Sequence, residues 1–447
     1  MDNYEQQTSA MKSLVSWVFV PVFGLSLSGA VFADEMGSLP TPSSTQLAWH
    51  DMEMGALVHF GMNTFTDREW GDGKEDPKLF NPSELNAHQW VSALKAAGIK
   101  QLVFTAKHHD GFCLWPSAQT EHSVKNSPWR EGKGDVVREV ADACRAGGLK
   151  LGIYLSPWDR HEPSYGDSPK YNGFFLNQLR ELLTNYGLVS EVWFDGACGE
   201  GPRGKRQKYD WSAYYKLVRE LQPQALIAIA GPDIRWAGNE QGVAHENESS
   251  IVPVGADTRK KMLFGDKPSV WWPAECDVSI RPGWFYHKAG DNRVKSLEQL
   301  MDIYYKSVGR NAVLQLNVPP DKRGLIHEND VKRLAEFGAE IQRRFGQSVA
   351  ETSGKGKELT LTLPSLMPVD HVILMEDIRQ SERVNEFLVE GLTTNSWQEV
   401  SKGQVIGHKR ILQFPSTEVS QMRLRSMLYQ AVVKRAKIPV ENRRGVV

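Results

Sequence analysis

Glu191–Gly196 reads EVWFDG, an apolar run that ends by presenting the carboxylate of Asp195 directly behind Trp193 and Phe194. A lone aspartate there can equally cap a helix or pair with a cation, so its chemistry depends on what faces it. Lys107–Phe112, KHHDGF, sets His108 beside His109, and Gly111 permits the backbone turn that lets both reach one ligand. The spacing matches no common zinc signature, so hydrogen bonding to hydroxyl groups is the better functional reading, with a structural pair as the alternative. Gly231–Glu240, GPDIRWAGNE, carries Asp233, Arg235, Trp236 and Glu240, with Glu246 and Glu248 close behind. Its Gly and Pro mark it as a loop. Asp195 with a second carboxyl from that loop is what double-displacement hydrolysis of a glycoside requires. One carboxylate attacks the anomeric carbon and the other protonates the leaving oxygen, from about 5–5.5 Å apart.

These residues need a scaffold that gathers them. Apolar runs at Ala56–Phe60, Gln101–Ala106, Leu151–Leu155, Glu191–Phe194, Ala225–Ala230 and Ala312–Val318 alternate with helical patterns. The helical patterns are Ser83–Ala97, Asp135–Ala146, Phe174–Tyr186, Trp211–Leu221, Leu297–Val308 and Glu328–Phe345, with Ser83 and Asp135 as N-caps. Repeated strand–helix units imply a parallel sheet, open or closed. His59, His108, His109, Ser156–Trp158 and Asp195 all stand at or just after strand ends, and no GxGxxG follows a strand. A barrel collects such ends at one mouth, whereas an open sheet concentrates its chemistry at one switch point; the spacing therefore predicts a TIM-like (β/α) barrel. Beyond Gly346 the texture changes to short alternating strands at Glu358–Leu363, Val369–Met375, Phe387–Glu390, Gln404–Gly407 and Ile411–Phe414, a C-terminal antiparallel β-sandwich. Alternation fades after Met422, so the sandwich is expected to be atypical or truncated at its end, without an evident closing strand.

Composition narrows the partners. With 53 Lys+Arg against 54 Asp+Glu, the chain lacks the positive field that nucleic acid requires. Fourteen Trp, 12 Tyr and 12 His suit a site that meets both the C–H faces and the hydroxyls of a sugar. Leu14–Ala33 carries no charge, follows Lys12 and ends in Val31-Phe32-Ala33, the pattern of a secretory signal cleaved after Ala33; an uncleaved anchor is the alternative. The expected organisation is a signal peptide over 1–33, a barrel over 34–345 and a sandwich over 346–447, secreted or periplasmic, with no stable membrane span after cleavage. Cys113, Cys144, Cys198 and Cys276 are widely spaced, form no CxxC pair and are expected to be mainly buried thiols.

In combination, HFGMNTF at His59–Phe65, EWGDG at Glu69–Gly73, KHHDGF, GIYLSPW at Gly152–Trp158, VWFDGA and GPDIRWAGNE resemble the α-L-fucosidases of glycoside hydrolase family 29, from about Trp49 to the GHKRI segment at Gly407–Ile411. The resemblance implies a (β/α) barrel followed by a β-sandwich, and hydrolysis of terminal α-L-fucose with retention and without cofactor or metal. Asp195 matches the family's nucleophile. Glu240 matches the acid/base of the branch that prefers α1,3- or α1,4-linked fucose in branched oligosaccharides or glycoconjugates, and Glu246 is the alternative. Sugar contacts are implied at His59, Glu69, Trp70, His108, His109, Tyr154 and Trp193. A retaining glycosidase for another sugar, a non-catalytic sugar-binding protein and a metal hydrolase using His108 and His109 are the rival readings.

Overall fold

The computed structural model describes residues 39–427 and 431–439. The expected leader over 1–33 lies outside them. Six parallel strands come first: β1 Met54–Val58, β2 Gln101–Lys107, β3 Lys150–Leu155, β4 Glu191–Phe194, β5 Leu226–Ile229 and β6 Arg235–Trp236. An antiparallel pair, β7 Ile251–Pro253 and β8 Ser269–Trp271, is inserted before β9 Ala274–Ser279 and β10 Val313–Asn317 return to the same sheet. The order around that eight-stranded sheet is β5-β4-β3-β2-β1-β10-β9-β6, and a parallel bridge from Ala228 to Ile234 joins its two ends. The predicted barrel is therefore present.

Strands β1, β2, β4 and β5 are buried along their whole length, as a sheet covered by helices demands. The expected helices recur with two corrected starts. The first runs Ala87–Ala96 under an Asn86 cap rather than from Ser83, because the Asn86 side chain accepts from Gln89 N–H. The helix expected from Phe174 begins at Ser168, where Pro169 fits its first turn. Asp135 caps its helix as expected, accepting from Arg138 N–H at 2.9 Å.

The barrel interior is polar at its lower level. Gln101 donates to Glu191 at 2.7 Å and Gln315 to Glu275 at 3.3 Å. A Cβ on Gly55 would meet Gln315 Oε1 at 2.2 Å, so only glycine leaves that amide its place. Burial pushes the Glu191 carboxyl up to about 7 and raises Glu275 as well.

Helix Glu328–Phe345 is followed at Ser348 by an antiparallel sheet. Its strands are β11 Ser348–Gly356, β12 Glu358–Glu376, β13 Phe387–Leu392, β14 Trp397–Gly403, β15 Arg410–Ser426 and β16 Ala431–Pro439, in the order β11-β16-β12-β15-β13-β14. It is one continuous sheet: β12 pairs with the C-terminal half of β15 through Glu358–Thr362 and with β16 through Ile373–Glu376. Leu361, Val372, Val389, Leu424 and Ile438 share one apolar cluster across its halves. Two expectations are corrected. Gln404–Gly407 is a turn after β14, and the closing strand not evident in the sequence is β16, paired with both β11 and β12. A register shift at Met375–Glu376, opposite Arg435–Val433, breaks the alternation there and hides the strand in the sequence.

Candidate active site

Four strand ends and the segments after them build one polar, aromatic cluster. Asp195, just past β4, is held at both carboxylate oxygens: Tyr154 O–H donates to Oδ2 at 2.9 Å and Ala197 N–H to Oδ1 at 2.7 Å. His109 Nε2 stands 3.8 Å from Oδ2. Tyr154 stacks on Trp193 with ring centroids 5.0 Å apart, and the Trp193 indole donates to Glu275 at 2.8 Å. His59 touches the rings of both His108 and Tyr154, at 5.6 and 5.7 Å, and His108 lies 4.0 Å from His109.

Neighbours fix the tautomers of the three histidines. Asn317 Nδ2 donates to the Trp284 carbonyl and Ser279 Oγ, so its Oδ1 faces His59 and accepts from Nδ1–H at 2.9 Å. Ser156 gives its proton to the Trp158 carbonyl, so its oxygen accepts from His109 Nδ1–H at 2.7 Å. His59 and His109 therefore keep Nε2 as an acceptor. His108 is opposite: Asn63 Nδ2 donates to its Nδ1 at 3.3 Å, which leaves the proton on Nε2. Burial pushes His59 and His109 down to about 4 and His108 well below its ordinary value, so all three are neutral near pH 7. Two acceptors and one donor on adjacent rings match a run of sugar hydroxyls.

Glu69 and Trp70 lie on a loop latched to the site's rim. Glu69 accepts from the backbone N–H groups of Trp284 (2.7 Å) and Phe285 (3.2 Å) and pairs with His287 Nε2 at 2.6 Å. Trp70 is 60% exposed and meets His109 and Trp158 edge-on. Trp284 and Phe285, at 5.3 and 5.4 Å from the His59 ring, complete the apolar wall and were missed in the sequence, as were Asn317 and Ser279.

The GPDIRWAGNE segment divides its charges. Asp233 pairs with Arg219 and accepts from Ile227 N–H at 2.8 Å, so it stabilises the β5–β6 turn. Arg235 pairs with Glu248 and donates to the Trp272 carbonyl. Only part of the segment is a loop, since Arg235–Trp236 forms β6. What remains at the mouth is Trp236, 41% exposed, and Glu240, which is exposed and makes no ion pair among the described residues. Asp277 lies within electrostatic range of both Asp195 and Glu240. At Glu246 the backbone carbonyl accepts from Arg410 of β15, Gln404 N–H donates to neighbouring Asn247, and the Glu246 side chain is exposed. The four cysteines are free thiols; three are buried and Cys198 is half-buried.

A pocket with a clamped carboxylate, fixed imidazole tautomers and an aromatic wall suits a pyranose. Comparison with known proteins agrees. The α-L-fucosidase family model matches residues 37–344. Alpha-L-fucosidase 1 of Arabidopsis thaliana is 43% identical over 424 residues, which cover 84% of this chain and 82% of that protein. A glycoside hydrolase 29 family member from an unknown rumen bacterium superposes with a TM-score of 0.83 at 44% identity, covering 90% of this chain and 78% of its own. A Ruminococcus gnavus GH29 fucosidase solved in complex with fucose gives 0.81 at 29% identity, covering 90% and 95%. By its sequence, its barrel and its relatives, the chain belongs to the α-L-fucosidase family, glycoside hydrolase family 29.

Proposed function

We propose that the chain is a retaining exo-α-L-fucosidase that releases α1,3- or α1,4-linked fucose from branched oligosaccharides or glycoconjugates, with Asp195 as nucleophile and Glu240 as acid/base. The observation that carries this is the contrast between the two carboxyl groups. Asp195 is clamped by two donors, which fixes its place and aims it. Glu240 has no such clamp and stands on the exposed side, where a leaving sugar would be.

In the first step Asp195 attacks the anomeric carbon as Glu240 gives its proton to the glycosidic oxygen, leaving a fucosyl ester on Asp195. In the second, Glu240 takes a proton from water, which attacks the same carbon and frees Asp195. His59, His108, His109 and Glu69 would bind the hydroxyls, with Tyr154 and Trp193 beneath the ring and Trp70 at the rim. The branch preference rests on the GNE sequence at Gly238–Glu240. Export rests on the Leu14–Ala33 run.

The test compares fucose release from an α1,3/1,4-fucosylated branched oligosaccharide, 2′-fucosyllactose and an aryl fucoside, with Asp195→Ala and Glu240→Ala alongside. Selective release from the branched substrate is expected, lost by about three orders of magnitude in Asp195→Ala and strongly reduced in Glu240→Ala. The pH profile should be bell-shaped, because the two carboxyl groups must start in opposite protonation states. A flat profile from about pH 4 to 9 would overturn the assignment. Binding without turnover on all three substrates would favour a sugar-binding protein.

A further inference from the structure

The segment that carries Glu240 is an arch standing on β9. Ala237 N–H donates to the Glu275 carbonyl at 2.9 Å and Gly242 N–H to the Asp277 carbonyl at 3.1 Å, so residues between them bow away from the strand. Inside the arch Asn239 staples the chain, donating to the Val243 carbonyl at 2.8 Å and accepting from Gln241 N–H at 3.1 Å. The inward residues of β9 hold the site's rings in succession. Glu275 accepts from Trp193, Asp277 accepts from Trp236 at 2.6 Å, and Ser279 accepts from Asn317, which orients His59. Asp277 is only 4% exposed, has no cation within ion-pair distance among the described residues, and bonds the indole of a tryptophan that is 41% exposed. A buried carboxyl without a cation is costly to keep, and apolar packing alone would not require one.

We propose that Asp277 is a positioning residue of the leaving-group side: by holding the Trp236 indole it fixes the aromatic face against which the sugar departing from fucose is seated, next to Glu240. The proposal deepens the reading above and rests on it. The fucose side has its own supports in Ser156, Asn317 and Glu275, so Asp277 governs which aglycone is accepted while the fucose pocket stays intact.

The experiment measures kcat and KM for Asp277→Asn, Asp277→Ala, Trp236→Phe and the double variant Asp277→Ala/Trp236→Phe on two substrates. One is the branched oligosaccharide; the other is α-L-fucosyl fluoride, whose leaving group needs neither a sugar subsite nor a proton. Asp277→Ala and Trp236→Phe should each lose roughly 30-fold in kcat/KM on the oligosaccharide, mainly through KM, and under about threefold on the fluoride. Asp277→Asn keeps an acceptor oxygen for the indole and should restore oligosaccharide turnover to within about threefold. The double variant should be no worse than either single one, because both remove the same contact. Equal losses on the two substrates, additive losses in the double variant, or unchanged oligosaccharide kinetics in Trp236→Phe would overturn the proposal. If Asp277→Ala does not fold, Trp236→Phe and Asp277→Asn decide it. Failure of the unsubstituted enzyme to release fucose from either substrate would instead strike the functional reading itself.

Discussion

At the scale of single residues, the protonation of the site is decided by two oxygen atoms. Ser156 Oγ and Asn317 Oδ1 each accept from a histidine Nδ1–H, and each is itself oriented by donation to a backbone carbonyl, of Trp158 and Trp284 respectively. The pattern therefore does not depend on a titrating group. Because burial holds His59 and His109 at about 4, neither ring changes charge between pH 5 and 8. His109→Gln should lower kcat/KM by about tenfold to a hundredfold while leaving both limbs of the pH profile in place to within about 0.3 unit. A limb that disappeared with His109 would assign that limb to the histidine and refute the neutral-imidazole account. Ser156→Ala should act more mildly, by about tenfold or less, through loss of the fixed tautomer. At this scale the sequence was most legible. Histidines, aromatics and carboxyl groups clustered at strand ends predict a sugar site, and the structure brings His59, His108, His109, Tyr154, Trp193 and Asp195 into one cluster. The supporting residues Asn317, Ser279 and Asp277 were silent, because a polar residue inside a barrel looks in sequence like one facing water.

At the scale of elements, legibility followed burial. β1, β2, β4 and β5 are covered on both faces and stand out as apolar runs. β9, AECDVS, is just as buried, yet its inward face is Glu275, Asp277 and Ser279, so it carries no apolar run to recognise. β6 has only two residues, too few for any periodic signal. The turn that produces it forces Ile229 to φ 67°, a left-handed conformation that a β-branched side chain resists, and the bonds of Asp233 to that turn hold it there. The arch beyond is built from two left-handed glycines with different surroundings. Gly238, at φ 92°, has open space where a Cβ would go, whereas at Gly242, φ 72°, a Cβ would meet Val278 Cγ1 at 2.8 Å and Ile303 Cγ2 at 2.9 Å. Gly238→Ala should therefore cost about 1 kcal/mol of backbone strain. Gly242→Ala must in addition lift the arch off β9, and its oligosaccharide kcat/KM should fall at least about tenfold further than that of Gly238→Ala. Melting curves and kinetics on both variants check this ranking, and equal effects would mean that the foot at Gly242 does not govern the arch.

At the scale of the molecule, the C-terminal sheet braces the chain that follows the arch. Asn311 N–H donates to the Lys409 carbonyl at 2.9 Å and Ile411 N–H to the Gly309 carbonyl at 3.0 Å, so a stretch just before β10 pairs with the start of β15. Gly407 allows the approach: it sits at φ 60°, and a Cβ there would fall 2.2 Å from the Asn311 side chain. Glu382, 6% exposed, closes the junction by accepting from Ser249 Oγ and Asn311 Nδ2, both at 2.6 Å, and from Ser250 N–H at 3.0 Å. These bonds span the barrel, the β6–β7 connection and the sheet at once. The chain at Glu246 and Asn247 is also tied to the sheet, through the Glu246 carbonyl and the Asn247 side chain. Glu382→Ala would leave the Ser250 N–H and one Asn311 N–H without a partner in a buried place, while Asn311 keeps its bonds to the Glu248 carbonyl and His408 N–H, at a cost of about 2–4 kcal/mol. Melting should fall by about 3–8 °C. The clamp on Asp195 and the tautomers of the three histidines are set entirely within the barrel, so kcat/KM at 25 °C should stay within about threefold of the parent enzyme. An unchanged melting temperature would mean the junction contributes nothing to stability. A collapse of activity without a change in melting would mean that the sheet acts on the site through Ser249 and Ser250 and not as a brace. Gly407→Ala strikes the same junction by overlap with Asn311, and its melting should fall with that of Glu382→Ala while the fucose pocket, supported from within the barrel, keeps its geometry.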